Sequence, residues 1–218
     1  MLKEEALWLK KELSMFDSIS LNKMLNVGSS TLHFRTEIQP FIDENIFKPL
    51  RERQVEIINL DLKKDEGVDI NGDLLDESFQ DILRAYNFKS AICSNLLEHV
   101  PNPAAFGKAI VRVVENGAKI IVTVPYKYPY HKDPIDTLFR PAIEELASLF
   151  PGTRILRSAY VRSNTSMIAS MVKNWKFGVL SVLRLVQFYK KDWRKYFNYV
   201  PNMTRKYEVT CLILEKTV

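Results

Sequence analysis

Seven short apolar segments, separated by longer stretches with helical patterning, constrain what this 218-residue chain can fold into. They run 23–27, 55–60, 67–71, 90–94, 119–124, 154–161 and 207–214. Several are continuous apolar runs without alternation, as in strands covered on both faces of their sheet. Helices are expected over 36–52, 75–86, 104–114 and 141–150, and the rhythm of strand and helix predicts an α/β sheet. Pro103 and Pro141 stand at helix starts, where a missing N–H is tolerated. With 46% hydrophobic residues and no repeat or Gly/Ser linker, one packed domain with peripheral insertions is expected.

The first 20 residues carry charges every few positions and no apolar core, so they predict an N-terminal amphipathic helix and not a signal peptide. Residues 21–218 then form the main domain, with a helical insertion at about 164–204 between the last two strands. The longest uncharged stretch, Met24 to Phe34, is 11 residues, against about 20 for a bilayer span. Cys93 and Cys211 lie inside apolar runs and read as small buried hydrophobes of a reducing, cytoplasmic compartment. The net charge of +5 conceals an asymmetry: residues 1–150 hold 18 Lys and Arg against 23 Asp and Glu, and residues 151–218 hold 13 against 3. Such a basic tail bears on anionic partners and not on fold.

Residues 23–35, KMLNVGSSTLHFR, stop an apolar strand at Gly28 and continue with small hydroxyl residues. Where a parallel strand turns directly into a helix, glycine lets the backbone approach a ligand with no Cβ in the way. Ser29, Ser30 and Thr31 add hydroxyls and N–H groups near a helix start, which favours a carboxylate or phosphate. No G-x-G-x-x-G is present, so a pyrophosphate is disfavoured.

In order along the chain, LNVGSS, INLDLK, VDINGDLLD and AICSNLLEHVPNP resemble the strand ends of class I S-adenosylmethionine-dependent methyltransferases. With GAKIIVTVPYKYPYHKDPIDTLFRP after it, the last segment is similar to the branch acting on small molecules, lipids or glycans. The resemblance covers roughly residues 20–161 and resumes near Tyr207. It implies a three-layer, Rossmann-like α/β fold: a seven-stranded, mostly parallel sheet with helices on both faces. S-adenosyl-L-methionine would lie across the carboxyl ends of the first strands. The cofactor-binding residues so implied are Asn26, Gly28, Ser29, Asp61, Leu62, Asp73, Leu74, Ser94, Asn95 and His99. Asp61 either accepts from both ribose hydroxyls or caps a turn, and Asp73 either accepts from the adenine amino group or caps the helix at Leu75. Ser94 and Asn95 end the fourth strand, where carbonyls and an amide suit the amino-acid end. The chain departs from the family in having one glycine in the first turn and a segment, EIQPFIDENIFKPLRERQ, that lengthens the gap to Asp61.

Methyl transfer from a sulfonium asks the protein mainly for alignment and exclusion of water. An oxygen acceptor also needs a base with a pKa near neutral. His131, with Asp133 and Asp136 close behind it, is the expected catalytic histidine, and Asp133 its partner; the competing reading is a loop histidine bonding a carbonyl. Arg140 either binds an anionic substrate group or pairs with Asp136, and Tyr126, Tyr128 and Tyr130 either line an acceptor pocket or cover a loop. The expected acceptor is a small molecule, lipid or glycan. Nucleic acid is not expected, because SNLLEHVP lacks the aromatic-plus-proline tetrapeptide of amino-methylating nucleic-acid enzymes. No metal-ligand spacing is present. Within 173–195, Trp175, Val179, Val182, Val186, Tyr189 and Trp193 form one helical stripe opposite a basic face. Such a helix either lies on an anionic membrane or packs on the sheet or on a second subunit of a homo-oligomer. The rival function is a non-catalytic scaffold with the same fold.

Overall fold

In a computed structural model, residues 1–128, 130, 135–166 and 205–217 are described. The strands are β1 (Met24–Val27), β2 (Ile57–Asp61), β3 (Ile70–Asn71), β4 (Phe88–Ser94), β5 (Val114–Lys127), β6 (Thr153–Ser166) and β7 (Lys206–Lys216). They form one sheet in the order β3-β2-β1-β4-β5-β7-β6. The first five are mutually parallel, while β7 enters between β5 and β6 and runs antiparallel to both. Every apolar run of the sequence becomes a strand, and the seven-stranded, mostly parallel sheet is the one expected.

Period-two alternation assigns the faces. Leu25, Ala91, Cys93, Ile120, Val122, Leu212 and Leu214 belong to one core, covered by α5 (Glu77–Arg84), α6 (Pro103–Val113) and α7 (Ile143–Ser148). Met24, Ile92, Ile121 and Ile213, one residue out of step, belong to the other. That face is covered by α1 (Lys3–Leu13), α2 (Ser18–Leu21), α3 (Pro40–Ile42) and α4 (Lys48–Glu52). Each side chain of this size taken out of water contributes about 1.5–3 kcal/mol, so both layers are held by the strands' unbroken apolar character. The N-terminal helix docks through Ala6, Leu9 and Leu13.

One expected helix is corrected. Residues 36–52 do not form a single helix: wide turns at Phe34–Ile38 and Asp43–Phe47 flank and interrupt α3. Gln39 leaves the helical region at φ −129°, ψ 66°. Pro40 forces that break, because its ring clashes with a helical residue before it. Pro49 removes another N–H at the start of α4. Of the expected insertion 164–204, Asn164, Thr165 and Ser166 continue β6, and the remainder, with the basic stretch 173–195, lies outside the described residues. Among the described residues no helix is long and apolar enough to cross a membrane.

Candidate active site at the carboxyl edge of the sheet

The ends of β1, β2 and β4 border a cavity of about 860 Å³. The first turn builds its floor. Gly28 N and Ser29 N both donate to Leu60 O, at 2.9 and 3.0 Å, folding the chain over the end of β2. Gly28 has φ +68°, and a Cβ there would stand 2.7 Å from Leu96 Cδ2. In this structure the space left by the missing Cβ is therefore filled by Leu96. Ser30 also has positive φ, 56°, and its N–H donates to Asp61 Oδ2 at 2.8 Å.

Asp61 receives a second bond from Lys63 N to Oδ1, at 3.0 Å. A carboxylate offers about four lone-pair sites, so the turn-capping role uses two and leaves about two without a described partner, on a residue that borders the cavity. Asp73 accepts from Leu75 N at 2.9 Å, but the cap of α5 is Asp76, which accepts from Ser78 N at 2.9 Å. The helix-cap reading of Asp73 is thus corrected to a local turn with an exposed carboxylate. Leu74 is buried in the cavity wall, whereas Leu62 projects 69% exposed at its open rim. Asn26 donates to Asn59 Oδ1 at 2.9 Å and so ties β1 to β2. The Ser29 hydroxyl donates to Ser30 O at 3.1 Å.

On the far side of β1, Asn95 sits at φ 51° with its N–H on Thr123 O at 2.8 Å. Its Nδ2 donates to Glu5 Oε1 at 2.8 Å. The Ser94 hydroxyl is buried and has no hydrogen-bond partner among the described residues. His99 follows in a short helical turn, with Nδ1 against Ile135 O and Nε2 3.7 Å from Glu98 Oε1. Gly28, Ser29, Asp61, Asp73, Asn95 and His99 are thereby gathered on one cavity. His131 and Asp133 lie outside the described residues. His33 is exposed beside Glu37.

Arg140 grips Asp136 with two bonds, at 2.7 and 3.1 Å, and also donates to Tyr128 O at 3.2 Å. Of its two readings, pairing with Asp136 is the one observed. Tyr126 stacks on Tyr160 and Tyr128 packs on Tyr207, both at 4.6 Å between ring centres, so both rings pack onto the β6–β7 side; Tyr128 also borders the cavity.

Three residues were not singled out from sequence. Arg35, almost fully buried, donates to Ser29 O, Ser30 O and Gly67 O at 2.6, 2.8 and 2.8 Å, stapling the first turn to the loop after β2. Burial pulls its guanidinium below the ordinary value. Glu98 is fully buried and its oxygens accept no hydrogen bond among the described residues. Desolvation pushes its carboxyl up to about 8. Glu5 is fully buried within the apolar stripe of α1. The available signal was a charge at a position where periodicity called for an apolar residue, as at Glu5 or within SNLLEHV. Among the described residues no three His, Cys, Asp or Glu side chains are placed to hold one metal ion. Both cysteines are buried and free.

No family model matches the sequence, and no curated protein matches it. Among solved structures the chain is similar to the [4+2]-cyclase SpnF, at 17% identity and TM-score 0.57, over 97% of this chain and 80% of that one. It is similar to a candidate methyltransferase of Bacillus halodurans C-125 at 14% identity and TM-score 0.56, over 96% and 99%. It is also similar to coclaurine N-methyltransferase bound to N-methylheliamine and S-adenosylhomocysteine, at 10% identity and TM-score 0.55, over 98% and 70%. These likenesses establish the fold: the Rossmann-like sheet of the class I methyltransferases.

Proposed function

We propose that the chain is an S-adenosylmethionine-dependent methyltransferase that O-methylates a saccharide, lipid-linked or other small acceptor. The observation that carries this reading is the row of acceptor groups along the sheet's carboxyl edge. In the spatial order β3-β2-β1-β4, the row offers Asp73, Asp61, the Gly28 turn and Asn95. A purine amino group, a ribose diol, a sulfonium and an amino-acid end find partners in the same sequence. The fold shared with coclaurine N-methyltransferase, whose structure holds S-adenosylhomocysteine, supports it further.

When bound, S-adenosylmethionine supplies an activated methyl group for in-line transfer to the acceptor oxygen. The chain's own contribution is to orient the two partners and keep water out. The acceptor proton needs a base: His131 with Asp133 remains the proposed pair. Within the described cavity, His99 offers an imidazole whose Nδ1 is held by Ile135 O. The basic residues of 173–195 favour an anionic acceptor or membrane surface as a partner.

Calorimetry with S-adenosylhomocysteine tests the reading. The wild type is expected to bind, and Asp61→Ala to bind at least about tenfold more weakly, the loss typical of hydrogen bonds to a charged group. A wild type without affinity overturns the proposal. Release of S-adenosylhomocysteine in the presence of acceptor tests turnover. Binding without turnover favours the second reading, a non-catalytic binding or scaffold protein with the same fold.

A further inference from the structure

Helix α1 buries a stripe made of Glu5, Ala6, Leu9, Glu12 and Leu13, and Glu5 is the fully buried member with a charge. Taking a carboxylate out of water is costly unless its lone pairs are occupied. Glu5 Oε2 accepts from Leu2 N at 3.0 Å, which is an ordinary bond at a helix start. Its other oxygen reaches across 90 residues of sequence to Asn95 Nδ2 at 2.8 Å.

That second bond settles the direction of an amide. Asn95 gives its Nδ2 to Glu5 Oε1, so its Oδ1 is turned the other way. No described residue donates to Oδ1, and Asn95 borders the cavity. The backbone is fixed as well, by φ 51° and the bond to Thr123 O. Asn95 stands two strands from Asp61, about 10 Å away at the usual strand spacing. With the ribose at Asp61, the amino-acid end of the same ligand reaches the end of β4.

We infer that Glu5 is a positioning residue of the cofactor site: through Asn95 it aims an amide oxygen at the ammonium group of the cofactor's amino-acid end, which makes α1 part of that site. The inference rests on the proposed function. A glutamine at position 5 has one acceptor oxygen for two donors, so Glu5→Gln releases the Asn95 amide to rotate.

The test compares two ligands by calorimetry on the full chain: S-adenosylhomocysteine, which carries the amino-acid end, and 5′-methylthioadenosine, which lacks it. Glu5→Gln and Asn95→Ala are each expected to weaken the first about tenfold and leave the second within about twofold. The double variant is expected to lose no more than Asn95→Ala alone, because the two side chains act in series. Equal losses for both ligands, or none for either, overturn the role of Glu5 while the cofactor reading stands. A wild type that binds neither ligand overturns the cofactor reading itself. Should Glu5→Gln fail to fold, the two-ligand ratio of Asn95→Ala decides, and an unchanged ratio overturns the inference.

Discussion

Gly28 meets two demands at once, a left-handed backbone and a Cβ position occupied by Leu96. For an L-residue the first alone costs about 1–2 kcal/mol, and the second adds displacement of Leu96. Gly28→Ala is therefore expected to lower the thermal midpoint by several degrees and to weaken S-adenosylhomocysteine at least about tenfold, read by scanning calorimetry and titration. An unchanged midpoint and affinity would mean that the turn relaxes freely. Gly28 and Asp61 were legible in the sequence because each ends an apolar run, and a residue at a parallel strand's carboxyl end is placed by the run itself. Glu5, Arg35 and Glu98 were not. Their partners are reached only through the folded chain, as the separation between Glu5 and Asn95 makes plain. Leu96, which decides what Gly28 accommodates, looked like one more apolar residue.

Between elements, Arg35 does the joining. Its guanidinium serves three carbonyls from two loops, and no lysine could, since a point ammonium lacks the planar fork. Arg35→Met keeps the apolar stem but strands buried carbonyl oxygens, each worth about 1–3 kcal/mol when unpaired. The variant is expected to lose about 2–4 kcal/mol in urea denaturation, and a loss below about 1 kcal/mol would show that the staple is dispensable. The strands were readable because both faces are apolar and the runs have sharp ends. The stretch 34–52 was not, because periodicity cannot distinguish a continuous helix from one loosened into wide turns; the prolines at 40 and 49 signalled interruption without fixing its geometry.

For the molecule as a whole, the buried carboxyl of Glu98 sets a pH dependence. Its pKa rises from the ordinary 4.5 to about 8, so between those values the native state keeps a proton that the unfolded chain has released. Stability from this group falls as pH rises through that window, by at most about 1.4 kcal/mol per unit, and is level below and above it. Glu98→Gln mimics the protonated form. It is expected to match the wild type near pH 4.5 and to exceed it in melting temperature at pH 8; parallel curves would show that the carboxyl is not held neutral. A last consequence follows from β7, which pairs with β5 on one side and, among the described residues, is the sole strand paired with β6 on the other. Synthesis proceeds from the amino end, so in a nascent chain β6 and one flank of β5 stand without β7 until residues 206–216 leave the ribosome. Translation thus passes through an interval in which those flanks lack the strand that joins them, and the sheet is completed only when β7 inserts.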